Sequence, residues 1–274
     1  MRIDAADEAT IELHLRRSLV APVAIEVWTR EESALVRNDR DPCSHCDDVI
    51  EIAKQMATLH PLITITLYDI DKHADRAAES EIIQAPLTVF RAKGKELRFS
   101  GLWAGPMLPV IIDAITFAST GSSPITTESR DTLNDLPGPV TVELLVAPHD
   151  PYSIYMARLV MAMGVESRNV HVRVTDAAQF PLMAAARSIS EVPVLLLNEK
   201  RFLGTWEEVD LVVQLTLVAI GDDTLVIRDR TAVAPFVTEV QALAAAEAQI
   251  TRAQPPSVAP GALGGGSGFV LPRR

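Results

Sequence analysis

The sequence predicts an α/β protein made of two tandem copies of a β-α-β-α-β-β-α unit, forming one continuous body with a flexible C-terminal tail. Three observations carry this. Short β-branched runs alternate with amphipathic stretches of helical length. The same order of elements begins again after residue 138. Landmark residues also recur at nearly constant spacing: Pro86 and Pro193, Cys43 and Asp150, and Cys46 and Ser153 are each 107 positions apart. Phe99-x-Gly101-x-Trp103 and Phe202-x-Gly204-x-Trp206 are 103 apart, while Pro22/Pro139 and Glu26/Glu143 are 117 apart. The ten-residue change between 117 and 107 falls in the loop before Cys43, which therefore carries an insertion in the first copy. Self-similarity of this kind reads as a tandem duplication.

In chain order, Asp7–Val20 has apolar residues at helical spacing (Ile11, Leu15, Leu19) and ends at Pro22. Val23–Trp28 reads as a buried strand, and the polar loop Thr29–Pro42 is long for a strand–helix connection. A helix is expected from Cys43 to about Leu59, broken by Pro61. Leu62–Ile70 is a strand, Ala74–Ser80 a short helix and Leu87–Arg91 a strand after Ala85-Pro86. Lys93-Gly94-Lys95 turns a hairpin back into Leu97–Ser100, and Pro109–Ala118 is a helix. Residues 1–120 thus form the first domain, and the polar stretch 121–137 reads as a linker.

The second domain spans residues 138–230. It contains the strand Val140–Ala147, the helix Pro151–Met163, the strand Asn169–Val174, the short helix Pro181–Arg187, the hairpin Val194–Leu203 and the helix Trp206–Ile220. Leu225–Ile227 is expected to be an extra strand, and residues 231–253 hold an Ala-rich helix. Residues 254–274, with Pro255-Pro256 and Gly264-Gly265-Gly266-Ser267, read as a tether.

Composition narrows the function. The net charge is −11 and aromatic residues are 5%, which argues against nucleic acid as a partner. Apolar residues are 48%, yet the longest apolar helical stretch, Leu211–Ile220, is too short to span a membrane. Met1–Arg17 mixes charged and apolar residues, unlike a signal peptide. A soluble cytoplasmic protein is expected, and in a reducing compartment a cysteine pair is more often catalytic than structural.

The only cysteines, Cys43 and Cys46, lie three positions apart between a strand and a helix. At that spacing two sulfurs reach each other across one helical turn. The free N–H groups and dipole at a helix start favour a thiolate, the species that attacks a disulfide. Such motifs lower a thiol pKa from about 8.5 to roughly 3.5–7.5. Zinc is the competing use, but a structural site needs four ligands, and His14, His60, His73, His149 and His171 are scattered singly. No metal is expected.

The element order, Cys43-x-x-Cys46 and the two X-Pro junctions resemble the thioredoxin/glutaredoxin fold. The tandem arrangement is similar to the glutaredoxin-like protein disulfide oxidoreductases and to the N-terminal region of the alkyl hydroperoxide reductase flavoprotein, over roughly residues 8–220. The resemblance implies that Cys43 attacks and Cys46 resolves. It implies that Pro86 is cis, against the cysteine pair, so that Ala85 pairs with an extended substrate segment. No dissociable cofactor is implied beyond a redox-active Cys43–Cys46 disulfide. The flavin and nucleotide domains of that flavoprotein are absent, so electrons would come from a separate reductase, and a separate reductase or peroxidase is the expected protein partner. Pro42 departs from the aromatic residue usual before the first cysteine, which puts ordinary thioredoxin reductase recognition in doubt.

Glu26 lies on one face of its strand with Ala24 and Trp28. In a central strand both faces are buried, and a carboxyl there has a raised pKa. The resemblance implies that it shuttles protons to Cys46, while an edge strand would leave it in solvent. Glu143 repeats the position with no thiol nearby. A cationic His45 would stabilise the Cys43 thiolate and make the pair more oxidising, with Asp41, Asp47 and Asp48 opposing it; alternatively His45 is merely solvated. Asp150-Pro151-Tyr152-Ser153 occupies the second motif position, where neither Asp150 nor Ser153 can form a disulfide. Asp150 suits an N-cap and Pro151 the first helical position, so the second half, with Pro193, keeps its fold and loses its redox chemistry.

The function expected is thiol–disulfide exchange with a protein disulfide or dithiol. The alternative is a non-catalytic adaptor, with the cysteines as sensor or relic. The C-terminal Phe269–Arg274, apolar then basic, is similar to peptides that load cargo into encapsulin shells, which would place the protein in such a compartment; a tail with no partner is the other reading.

Overall fold

Asp4 starts the chain's first helix by accepting the N–H groups of Ala6 and Asp7, both at 2.9 Å. From there the computed structural model describes residues 1–31 and 40–253. The first half runs α1 (Ala5–Ser18), β1 (Val23–Thr29), α2 (Cys46–Leu59), β2 (Ile63–Asp69), α3 (Ala74–Glu79), β3 (Leu87–Ala92), β4 (Lys95–Ser100) and α4 (Leu108–Thr120). The second repeats it as α5 (Thr127–Asn134), β5 (Val140–Val146), α6 (Pro151–Glu166), β6 (Val170–Asp176), α7 (Pro181–Ala186), β7 (Glu191–Val192), β8 (Val194–Leu197), β9 (Lys200–Leu203) and α8 (Glu208–Ala219). A short β10 (Ala234–Pro235) and α9 (Glu239–Ala253) follow. Met1–Glu239 is one compact unit; Val240–Arg274 is separate, and its described part is helical.

The described strands form an eight-stranded sheet in the order β2-β1-β3-β4-β6-β5-β8-β9. Within each half the first two strands are parallel and the rest antiparallel. The halves fuse where β4 pairs parallel with β6, Leu97 opposite Val172 and Phe99 opposite Val174. One apolar core then runs through both, from Val23, Ile25 and Val27 to Val142 and Leu144, under residues of α2, α4, α6 and α8. Gly164 of α6 sits over the seam: a Cβ there would stand 2.6 Å from Val172 Cγ2 and 2.8 Å from Leu97 Cδ2. A smaller apolar cluster on the opposite side of the first half holds Trp28, Ala77, Ile82, Leu87, Val89 and both cysteines.

Both Ala85-Pro86 and Val192-Pro193 are cis. Both hairpins turn on consecutive left-handed residues, Lys93-Gly94 and Asn198-Glu199. The duplication is thus present in backbone detail.

Several expectations need correction. The expected linker 121–137 contains α5. Thr126 caps it by accepting the Ser129 N–H at 3.2 Å, Leu133 is buried, and buried Glu166 accepts from Arg130 Nε at 2.9 Å and Ser123 Oγ at 2.8 Å. Its polar composition hid a helix fixed by a cap and one apolar anchor, and α5 stands before β5 as α1 stands before β1. Helix α2 begins at Cys46 rather than Cys43; Cys43 lies in the turn before it, its carbonyl accepting the Cys46 N–H at 3.3 Å. Leu225–Ile227 is not a strand; the added strand is β10, which pairs with β7. Most of the loop after β1, and the tail 254–274 with the hexamer Phe269–Arg274 read as a docking peptide, lie outside the described residues.

Candidate active site

Three elements bring the cysteines together: the end of β1, the turn into α2 and the Ala85-Pro86 segment before β3. Cys43 and Cys46 form a disulfide with Cα atoms 5.4 Å apart. Arg30 donates its backbone N–H to Cys46 Sγ at 3.3 Å. Trp28, Ile70, Ala77, Ile82, Ala85 and Leu87 pack around the pair, leaving Cys43 7% and Cys46 5% exposed. The Trp28 ring stacks on Tyr68 with centroids 4.6 Å apart. Pro86 is held from β4, its carbonyl accepting the Gly101 N–H at 3.2 Å.

His45 is not a free solvated ring. Its Nε2 lies 2.9 and 2.8 Å from the two Glu239 carboxylate oxygens, and its Nδ1 lies 3.4 Å from Asp48. Burial works against the charged ring, but Glu239 and then Asp48 outweigh it, so the His45 pKa is raised. Asp41 is occupied elsewhere: it accepts the Leu182 and Met183 N–H groups at 2.7 and 3.0 Å, at the start of α7. The motif is therefore held by Glu239 on one flank and by the start of α7 in the second half on the other.

Glu26 sits in a central strand, but its face is not apolar. Arg76 Nη2 approaches its carboxylate at 3.0 Å and Arg91 Nε at 3.6 Å, and Trp28 Nε1 donates to it at 3.4 Å. Glu143 pairs with Arg187 at 2.7 Å in the second half. The apolar surroundings expected for Glu26 are replaced by an ion pair, and Glu143 has one at the matching position where no thiol exists.

The second motif position is closed by hydrogen bonds. Asp150 caps α6 through the Tyr152 and Ser153 N–H groups at 3.1 and 2.8 Å, Ser153 Oγ donates to it at 2.8 Å, and the Ala147 N–H donates to Ser153 Oγ at 3.2 Å. His149 Nε2 faces the Pro235 carbonyl at 3.4 Å. Among the described residues no group of three or more His, Cys, Asp or Glu side chains is arranged to hold a metal.

The sequence reading missed Glu239, 194 positions from His45, and Asp176. Asp176 is fully buried beside Gly101, where a Cβ would come within 2.9 Å of its own. It accepts from the Ala178 N–H at 3.1 Å and Gln179 Nε2 at 2.6 Å, while Gln179 Oε1 accepts the Leu102 N–H at 3.1 Å. Burial raises its pKa to about 7; those hydrogen bonds oppose the rise, nearby Glu239 adds to it, and His45 opposes it. An acid protonated more tightly when folded loses stability as pH rises from its unfolded value to its folded one. The loss here runs from about pH 4 to pH 7, reaching roughly 4 kcal/mol. Asp176→Asn is therefore expected to gain on the wild type in thermal melts between pH 5 and pH 8; an unchanged difference between the two proteins would contradict this.

Fold and site together define a tandem thioredoxin-fold protein with one Cys-x-x-Cys disulfide and one cysteine-free copy of the motif. Its fold is similar to that of a protein disulfide oxidoreductase from Aeropyrum pernix k1, 21% identical, over 81% of this chain and 96% of that one, with a TM-score of 0.70. It is similar to the NTD_N/C domain of the alkylhydroperoxide reductase AhpF from Enterococcus faecalis, 15% identical, over 78% of this chain and 99% of that one, with a TM-score of 0.67. Sso1120 from Sulfolobus solfataricus matches at 12% identity over 70% of this chain and 96% of that one, with a TM-score of 0.51. No family model matches the sequence, and no curated protein matches it.

Proposed function

We propose that the protein is a thiol–disulfide oxidoreductase working through Cys43 and Cys46. The observation that carries this is the Cys43–Cys46 disulfide beside the Ala85-Pro86 segment, with His45, paired with Glu239, inside the motif. In the reducing direction the Cys43 thiolate attacks one sulfur of a protein disulfide, and the other sulfur leaves as a thiolate that takes up a proton. Cys46, after losing its proton, attacks Cys43 Sγ and releases the second substrate thiol. Two electrons and two protons pass from the dithiol to the substrate, leaving the Cys43–Cys46 disulfide. The step balances without a bound cofactor. Re-reduction needs two electrons from a separate reductase; a peroxidase would instead be a recipient of electrons from the dithiol.

The molecule offers a template for how a substrate docks. In the second half, Ala234 pairs antiparallel with Val192, the residue before Pro193. The matching residues of the first half are Gln84 and Ala85, and no described segment pairs with them. An extended substrate segment laid there would run past the disulfide. For Glu26 the recurring ion pair supports a scaffold role over proton transfer. Glu26→Gln is then expected to keep exchange within about threefold while lowering stability by roughly 1 kcal/mol, as for a weakly exposed pair; a far larger drop in rate would return Glu26 to proton transfer. The central test is reduction of insulin with dithiothreitol, together with the reduction potential of the pair. Acceleration is expected; none, despite a reducible Cys43–Cys46 disulfide, would leave an adaptor.

A further inference from the structure

The chain between α8 and α9 is a strap laid against the second half. The Thr205 N–H donates to the Ala232 carbonyl at 3.1 Å, and the Ala232 N–H donates to Thr205 Oγ1 at 3.0 Å. Ala234 pairs with Val192, and the Phe236 N–H donates to the Ser190 carbonyl at 2.9 Å. The Phe236 ring packs against the apolar groups around Leu145, Val192 and Val194. Gly204 is required for this path: at φ +76 its Cβ would stand 2.8 Å from the Ala232 carbonyl oxygen. The strap thus fills the pairing edge that its counterpart in the first half leaves open. Three residues past Phe236 it reaches Glu239, whose two oxygens meet His45 at 2.9 and 2.8 Å.

We propose that Glu239 is a positioning residue for the Cys43/Cys46 dithiol: the strap, seated on the disused edge of the second half, sets its carboxylate on His45, and His45 carries that influence to Cys43. The inference rests on the thiol–disulfide reading above. The groups facing His45 are Asp48 from its own helix, with the Met1 amino group upon it, Asp176 from the end of β6, and Glu239. Glu239 is the one of these carboxylates within 3 Å of the ring. Its partner is the imidazole, and the imidazole lies within the motif. Removing the carboxylate therefore withdraws what favours the imidazolium inside the motif, and with it a positive charge that favours a Cys43 thiolate.

The test uses the full chain as wild type, Glu239→Gln, Glu239→Asp and Phe236→Ala. NMR follows the His45 ring, and the ultraviolet absorbance of the thiolate follows Cys43 in the reduced protein. In Glu239→Gln the His45 midpoint is expected to fall by about one pH unit or more and the Cys43 midpoint to rise. Glu239→Asp restores most of both shifts, and Phe236→Ala, which loosens the strap, repeats them in part. A Cys43 midpoint that stays put or falls in Glu239→Gln overturns the proposal, even if the variant melts earlier. A wild type that shows these shifts but does not reduce insulin keeps the positioning role and removes the exchange reading. Active wild type with unmoved midpoints does the reverse.

Discussion

Replacing Cys43 with serine brings insulin reduction down to the uncatalysed dithiothreitol rate, a loss on the order of 10³-fold. A hydroxyl at that position neither ionises near neutral pH nor attacks a sulfur. Replacing Cys46 with serine has a different signature. The Cys43 thiolate still attacks, but nothing inside the protein resolves the product, so a mixed disulfide with the substrate accumulates and is seen by mass spectrometry. Cys46 is 5% exposed and its sulfur accepts the Arg30 N–H, whereas the carbonyl of Cys43 belongs to the turn before α2. Attack by Cys43 is the assignment proposed above; the two residues are 7% and 5% exposed, so the trapping experiment rather than burial separates their roles. A trapped adduct on Cys46 in the Cys43→Ser protein, and none on Cys43 in the Cys46→Ser protein, would reverse the roles.

A large loss of stability is expected on substitution of Gly164. The helix α6 crosses the β4–β6 seam at this residue with no room for a side chain. Gly164→Val forces a Cβ and its two methyl groups onto Leu97 and Val172, both buried in the common core, and is expected to cost about 3 kcal/mol. Gly164→Ala costs about 1 kcal/mol, because the better helix propensity of alanine offsets part of the clash. Denaturant melts read both, with the order Val worse than Ala. If Gly164→Ala were stabilising, the seam would be looser than these distances require. The disulfide lies in a separate apolar cluster, so activity per folded molecule should hold in Gly164→Ala.

Much of this architecture was legible in the residues because the duplication left marks that depend on backbone needs. Pro86 and Pro193 kept their cis bonds, the hairpin turns kept left-handed residues, and Asp150-Pro151 kept a helix start after the cysteines were lost. The site was legible only as far as local spacing reaches. Cys43, Cys46 and His45 stand within four residues and announce themselves. Glu239 comes from the far end of the chain, and no periodicity ties a surface glutamate to a histidine 194 positions away. The arginines around Glu26 were missed for the same reason: a strand pattern gives which face a residue occupies, not what covers that face. α5 was hidden because a short polar helix draws its stability from a cap and from Glu166 and Leu133, which are tertiary facts.

The shared ladder at β4 and β6 means that neither copy of the duplication is a module to be lifted out. A fragment cut after residue 120 would end its sheet at β4, where Leu97–Ser100 would face water with bare N–H and C=O groups in place of β6. Raw edges of that kind recruit other chains. Such a truncation should be handled as a self-association hazard rather than as a minimal active unit.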